Sequence, residues 1–356
     1  MCLTEGVAEE LFPTAKRCRR DPRFHRHFRC VGSQDDEILM TNLTLLGDIG
    51  GTNSRFALVV QGRTDYRSER HYENKRYPTF REAIEAYIAD VGERPNAGVV
   101  AIAGPVAGEM VGPTNRQSWL FNPPTLAAEL RFARLDVIND FEAVAHALPH
   151  LAQADTTVIG SVTGGVAGGN MAVLGPGTGL GVGALVRGGS RWIAVPSEGG
   201  HAEIGAPAGA WAKAHELIRG KIGRVSGEHV LSGPGLQRID AALAALAGHP
   251  AERSAAEIGT AAVAGTDPVA VEATHLFFDY LARFSGDVGL MFAAKGGVFL
   301  YGGVVQKLSP LMDEAAFRAA FEAKSPLEKF LREIPIRLIT HPTPGLIGCA
   351  AVAAHW

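Results

Sequence analysis

Within six residues, Asp48-Ile49-Gly50-Gly51-Thr52-Asn53 joins an acidic side chain, two adjacent glycines, a hydroxyl and an amide. Leu45 and Leu46 lead in and Phe56 to Val60 lead out, so the stretch reads as a β-hairpin whose turn exposes backbone N–H groups. Gly50 and Gly51 tolerate positive φ and let a ligand approach the main chain closely. Thr52 and Asn53 add polar side chains, and Asp48 at a strand end can face a hydrated cation. Such a turn suits the outer phosphates of Mg-ATP. The alternative is an ordinary glycine-rich hairpin turn, and this stretch alone does not separate the two.

Other residues carry chemistry of a compatible kind. Asn139-Asp140 stands where a strand meets a helix. A carboxylate there can take the proton of a hydroxyl during phosphoryl transfer, and Asn139 can hold a second hydroxyl. Equally, Asp140 can serve as the helix cap. Glu198-Gly199-Gly200-His201 offers an acceptor, two glycines and a ring, which suits a polyhydroxylated ligand lying on the backbone. A loop His and a solvated Glu with no ligand explain the same residues. Glu228 leads into a helix and reads by itself as an exposed loop residue. Gly302-Gly303 follows a strand and can let an adenine or ribose lie on the main chain, or can be a plain strand-to-helix turn. Gly220-Lys221 is followed by Ile222, so the phosphate-loop signature ending in Lys-Ser/Thr is absent. Gly175 to Gly181 runs into a strand, which excludes the dinucleotide-binding glycine fingerprint.

The elements that must position these groups alternate between strand and helix. Thr79 to Glu82 forms a capping box, followed by Phe80, Ala83, Ile84, Tyr87 and Ile88 at helical spacing. A strand is expected around 71–77, a buried one over 98–103, and another over 135–138 before a helix over 141–148. After the Gly/Thr-rich loop 160–170 the pattern restarts. A strand (171–174), a turn (175–179) and a strand (180–186) echo the opening hairpin. A strand over 192–195 follows, then helices over 210–219, 233–246, 255–264 and 268–292, strands over 297–301 and 336–340, and a closing helix over 345–356. This order predicts helix-covered, mostly parallel or mixed sheets, duplicated, with a nucleotide between the halves.

The 356 residues include 43 glycines, clustered between apolar strands as turns rather than as low complexity, and the formal charge is −3. That charge gives no general attraction to nucleic acid or membrane. No uncharged apolar run reaches the ~18 residues of a membrane span. The four cysteines, at 2, 18, 30 and 349, include no CxxC pair, so neither a disulfide scaffold nor a thiolate zinc site is indicated and a reducing cytoplasm is the natural compartment. Residues 1–39 carry a basic run from Lys16 to Arg29. They are expected to be disordered or not made, with Met40 as the start of the folded chain.

Taken in order, these residues resemble the bacterial glucokinase family of the hexokinase–actin–chaperone ATPase superfamily. The resemblance rests on LLGDIGGTNSRFAL, AIAGPV, VINDFEAVAHALP, AVLGPGTGLGVGALV, PSEGGHAEIG, EHVLSGPGL, GGVFLYGGVV and PGLIGCA, in register from Leu43 nearly to the C-terminus. It implies an α/β, two-lobed ribonuclease H-like/actin-like ATPase fold with mixed central sheets flanked by helices and the active site in the interlobe cleft. The small lobe would span 40–150, completed by 341–356, and the large lobe 151–340. It implies a cytoplasmic enzyme that phosphorylates D-glucose with ATP and Mg²⁺, as a homodimer.

By the same resemblance, Asp48, Gly50, Gly51, Thr52 and Asn53 are the first phosphate loop, with Asp48 acting on Mg²⁺ through water. Gly175, Gly177, Thr178 and Gly179 are the second phosphate loop, and Gly302 and Gly303 the adenosine motif. Asn139, Asp140, Glu198, His201 and Glu228 match the sugar ligands, and Asp140 matches the catalytic base. The Cys-rich zinc motif of the kinase family that includes sugar repressors is absent. Other readings are a kinase for another hexose, an actin-like ATPase module, which would not need Glu198, His201 and Glu228, and a sugar-sensing regulator, for which no helix-turn-helix pattern is present.

Overall fold

The structure, a computed structural model, describes residues 42–356. The N-terminal basic run and the expectation attached to 1–39 lie outside the described residues.

The first half of the chain builds one sheet. Its strands are β1 (Leu43–Ile49), β2 (Asn53–Val60), β3 (Tyr66–Glu73), β4 (Ala97–Ile102) and β5 (Arg134–Asn139), with helices α1 (Phe80–Val91), α2 (Pro123–Leu130) and α3 (Asp140–Ala147). The spatial order is β3-β2-β1-β4-β5. β1, β2 and β3 pair antiparallel, while β4 and β5 run parallel to β1. The capping box holds as expected: Thr79 Oγ1 accepts from Glu82 N at 3.2 Å, and Glu82 Oε2 accepts from Thr79 N at 3.1 Å. The third strand lies at 66–73 rather than around 71–77. It is a polar edge strand that buries Tyr72 alone, so its apolar signal is faint, and the chain already turns at Asn74–Arg76 to enter α1.

The second half repeats the arrangement. It contains β6 (Thr156–Ile159), β7 (Met171–Pro176), β8 (Leu180–Gly188), β9 (Arg191–Ser197), β10 (Gly297–Leu300) and β11 (Ile336–Ile339). Helices α4 (Trp211–Ile222), α5 (Gly227–Val230), α6 (Gly233–Leu246), α7 (Ala255–Val263), α8 (Pro268–Met291), α9 (Gly303–Leu308), α10 (Glu314–Glu322), α11 (Glu328–Arg332) and α12 (Pro344–Ala353) complete it. Its strands run β6-β11-β10-β7-β8-β9. Read from β9, the order and sense of β9-β8-β7-β10-β11 reproduce β3-β2-β1-β4-β5, with β6 added antiparallel at the edge. The echo between the two glycine hairpins is thus a real duplication of sheet topology. β6, α2 and α9 to α11 are not anticipated from the sequence; β6, α9 and α11 are too short for a hydrophobic period to emerge.

Strand alternation sends side chains to both faces of each sheet. On the first sheet, Leu45, Ile49, Val100 and Ile102 pack with Phe56, Phe80, Tyr87 and Trp119. Leu46, Val99 and Ala101 face the other way, against Ala143 of α3 and Leu346, Cys349 and Ala350 of α12. On the second sheet, Ala172, Leu174, Val182 and Ala184 face the helical layer around α8, and Met171, Val173 and Leu185 face Val144 and Ala145 of α3 and Leu148 just after it. α3 therefore packs on both sheets. Its small residues permit this, and α12 approaches it so closely that a Cβ at Gly348 would lie 1.7 Å from Ala143 O.

That contact is backbone against backbone, so no side chain can yield. Gly348→Ala is expected to cost about 3 kcal/mol or more in urea unfolding. Gly220→Ala, in α4 with open space around it, should instead gain about 0.5–1 kcal/mol from helix propensity.

Candidate active site

The β1–β2 hairpin closes with Ile49 opposite Ser54, and Gly50 N donates to Asn53 O at 2.9 Å. The residues between form the tight glycine turn. Gly51, Thr52 and Asn53 are exposed, and among the described residues the N–H groups of Gly51 and Thr52 meet no protein acceptor. They are available to a ligand, as the sequence predicted of such a turn.

Asp48, Gly50, Thr52 and Asn53 share a cavity of about 290 Å³ with Arg55, Asp140, Phe141, Val144, Tyr301 and Gly345. Asp48 is opposite Arg55 in the hairpin register, and Arg55 Nη1 stands 3.6 Å from Asp48 Oδ2. The Asp48 carboxyl also lies against the first turn of α12. A Cβ at Gly345 would sit 2.9 to 3.1 Å from its carboxyl atoms, so glycine is what lets the helix start there. Burial pushes the Asp48 pKa upward, and the Arg55 charge opposes that rise.

Asp140 enters the cavity from the N-terminus of α3. The helix cap is Asn139, not Asp140. Asn139 Oδ1 accepts from Phe141 N at 2.9 Å and Glu142 N at 3.4 Å, and Glu142 Oε2 accepts from Asn139 N at 3.4 Å. Asn139 Nδ2 donates to Gly104 O at 3.2 Å, anchoring the loop after β4. The cap duty considered for Asp140 thus falls on its neighbour, although Asp140 Oδ1 still accepts from Phe141 N at 3.0 Å. Burial raises the Asp140 pKa to about 6; the Phe141 N–H works against that rise, and the nearby Asp48 charge adds to it. Two carboxyl groups facing one cavity, each displaced upward, make a site that favours a cation or a proton between them.

The second glycine turn lies just behind this cavity. Gly177 N donates to Gly179 O at 2.8 Å, and Gly233 N donates to Gly177 O at 2.8 Å. Thr178 is exposed at the tip. Gly175 belongs to β7, and glycine is required there by packing: a Cβ would meet Tyr301 O at 2.3 Å and the Phe141 ring at 2.4 Å. Phe141 thus lines the cavity on one side and presses on the second turn with the other. Gly302, with φ +128°, sits on Pro176 O, which a Cβ would approach to 2.5 Å, whereas Gly303 has open space beside it.

Glu198, His201 and Glu228 gather at the far edge of the second turn rather than in the carboxylate cavity. A Cβ at Gly200 would meet Leu180 O at 2.1 Å, so the Glu198–His201 turn lies directly on the end of the glycine turn. Glu228 Oε2 accepts from Leu180 N at 3.0 Å, and Glu228 Oε1 is 4.0 Å from His201 Nδ1. Glu198 and His201 have exposed side chains. Glu228 is thereby tied to the turn, not the free loop residue it resembled in isolation.

Arg55, Phe141, Tyr301 and Gly345 escaped the sequence reading. Arg55 was recoverable, since a turn over 50–53 puts it across from Asp48. Phe141 comes with Asp140 on α3, whereas Tyr301 and Gly345 reach the cavity only through packing of distant segments.

The glucokinase family profile matches residues 45–356. The chain belongs to the glucokinase family. It is 42% identical to a glucokinase of Chelativorans sp. (strain BNC1) over 90% of this chain and 94% of the relative. It is 43% identical to one of Mesorhizobium japonicum over 87% and 91%. Among solved structures, a glucokinase from an Antarctic psychrotroph shares 32% identity, with a TM-score of 0.82 over 88% of this chain and 99% of that one. A ROK hexokinase from Thermus thermophilus, 20% identical with a TM-score of 0.60 over 88% and 98% of the two chains, shares the fold. The mixed α/β architecture is accordingly that of glucokinases and ROK sugar kinases, the actin-like ATPase fold. Among the described residues Cys349 is the free cysteine and is buried, and no group of three or more His, Cys, Asp or Glu side chains is placed to hold a metal ion. No helix among them is long and apolar enough to cross a membrane.

The Asp140 environment has a thermodynamic signature. Its folded pKa of about 6 lies above the ordinary value of 3.8, so the folded chain binds that proton more tightly. The penalty of the ionised form is absent below pH 4, grows between pH 4 and 6, and is constant above. Asp140→Asn should therefore stabilise the protein at pH 8 by up to about 3 kcal/mol, and have little effect at pH 4. Urea unfolding at the two pH values measures the difference.

Proposed function

We propose that this chain transfers the γ-phosphoryl group of ATP to the primary hydroxyl of D-glucose, giving D-glucose 6-phosphate, with Asp140 as general base. The observation that carries the reading is the shared cavity of Asp140, Asp48 and the Gly50–Asn53 turn in a chain of the glucokinase family. A carboxylate with a pKa near 6 is ionised at neutral pH, yet is a stronger base than an ordinary aspartate. It suits removal of a hydroxyl proton as the new O–P bond forms.

The remaining groups divide between phosphate and sugar. The N–H groups of the first turn, together with Gly177, Thr178 and Gly179 of the second, receive the phosphate chain, and Arg55 brings positive charge to it. Gly302 and Gly303 give the adenosine a surface without side chains. The oxygen donors of Asp48 and Asp140 fit a hard divalent cation better than a soft one. Asp48 would hold Mg²⁺ through water, and Mg²⁺, when bound, supplies charge neutralisation at the outer phosphates. Asn139, Asp140, Glu198, His201 and Glu228 take the sugar hydroxyls. A sugar that leaves one of these groups unpaired is rejected, by up to roughly 10⁴-fold in favourable cases.

In this reading residues 40–150 with 341–356 form the small lobe and 151–340 the large one. Their closure excludes water, which would otherwise compete as a nucleophile. The reading also takes the protein as a cytoplasmic homodimer, an assembly that sedimentation would check.

Coupled ATP consumption, measured with no sugar, with glucose and with a panel of hexoses, tests the proposal. Glucose-selective turnover is the expected result. Sugar-independent hydrolysis would favour an ATPase module, and preference for another hexose would reassign the substrate. The log of kcat/KM should fall with unit slope below about pH 6 as Asp140 is protonated. Asp140→Ala should lose nearly all turnover while keeping ATP binding. Turnover within about tenfold of wild type, ~1.4 kcal/mol of barrier, would refute the assignment of the base.

A further inference from the structure

Gly50 and Gly51 give the first turn access to phosphate, but two adjacent glycines hold no conformation by themselves. Something outside the turn must set it. The structure supplies that anchor from the far end of β3. Asn74 is wholly buried, as is Ser54, and Asn74 reaches the hairpin three times. Its Nδ2 donates to Gly50 O at 2.8 Å. Its backbone N–H donates to Thr52 O at 2.9 Å. Its Oδ1 accepts from Ser54 Oγ at 2.7 Å.

Asn74 is itself held. Arg116 Nη2 donates to Asn74 O at 2.6 Å and to Tyr77 O at 3.0 Å, and the Arg116 guanidinium lies 4.9 Å from the centre of the Trp119 ring. Trp119 Nε1 donates in turn to Tyr77 O at 3.0 Å.

The consequence follows from peptide geometry. The Gly50–Gly51 peptide is planar and trans, so its C=O and N–H point in opposite directions. Tying Gly50 O to the buried amide turns the Gly51 N–H away from Asn74, where among the described residues it has no protein acceptor. The Asn74 amide serves both at once, its Nδ2 donating to Gly50 O while its Oδ1 accepts from Ser54 Oγ. We propose that Asn74 is a positioning residue that presets the Gly50–Gly51 peptide for the outer phosphates of the nucleotide. It acts through the turn and touches neither substrate. The proposal rests on the reading of that turn as a phosphate loop.

Asn74→Asp is the informative variant. It keeps the size and the acceptor for Ser54, but sets an oxygen against Gly50 O in place of the donor. Calorimetry with Mg-ATP should show affinity at least tenfold weaker than wild type. In the coupled assay kcat/KM for ATP should fall at least tenfold while KM for glucose stays within twofold. The deficit relative to wild type should shrink between pH 8 and 6.5, because a protonated buried carboxyl regains a donor; a general loss of fold would give no such recovery. Mg-ATP affinity within twofold of wild type, or equal losses toward ATP and glucose, would overturn the proposal.

Should Asn74→Asp fail to fold, Ser54→Ala frees the Asn74 amide to rotate. It should weaken Mg-ATP about threefold with KM for glucose unchanged, and unchanged nucleotide affinity would overturn the proposal equally. Calorimetry needs no turnover, so the two readings fail separately. A wild-type chain that binds Mg-ATP but phosphorylates no sugar sinks the kinase reading and still tests Asn74, whereas one that binds no nucleotide sinks both.

Discussion

The structure depends on one close helix-to-helix contact. α3 packs on both sheets at once, and α12 crosses it with Gly348 against the Ala143 carbonyl. A helix can lie between two sheets only if its side chains are small where it touches both, and Ala143, Val144, Ala145 and Ala147 meet that condition. The cost is a short element with little apolar area of its own. Its position is therefore over-determined by neighbours rather than by its propensity. Because Asp140 is the first residue of α3, the same packing that joins the halves of the chain also sets where the carboxyl sits.

Around that carboxyl the electrostatics are arranged by burial more than by pairing. Asp48 and Asp140 both have pKa values displaced upward chiefly by desolvation, and Arg55 offsets part of this at Asp48 alone. Tyr301, in the same cavity, is pushed up to about 12 by the same burial, so it stays a neutral hydroxyl. The Asn139 side chain shares the Phe141 N–H with the Asp140 carboxylate and takes that of Glu142 by itself. Asn139 thus carries most of the capping, and burial leaves the Asp140 carboxyl with a pKa raised to about 6, ionised at neutral pH.

Glycine does different work in the two turns. In the first it leaves the peptide free, so the conformation is imposed from outside by Asn74. In the second it makes room: Gly175 and Gly181 accept the Phe141 ring, and Gly179 accepts the Glu228 carboxylate. The hydrogen bond from Leu180 N to Glu228 joins a residue read as a sugar ligand to a turn read as a phosphate loop. Any shift of Glu228 is therefore felt in the turn.

The sequence by itself determined the local pieces: the two glycine hairpins, the Thr79 cap, the long α8, and the family through motifs in register. These are short-range patterns, in which period, turn chemistry and capping are read within a few residues. It also placed every residue of the first turn and Asp140 among the candidates, and all but Gly51 of that set meet in one cavity. Tertiary structure decided the rest. It chose Asn139 over Asp140 as the cap, placed β3 at a polar edge that buries too little to announce itself, and drew Glu228 onto Leu180. It also brought Gly345 and Tyr301 to the carboxylates and Asn74 to the turn. Apart from the cap, whose hydrogen bonds to Phe141 and Glu142 are local, these depend on contacts between segments far apart in the chain, and such contacts leave no period, spacing or propensity in the local sequence.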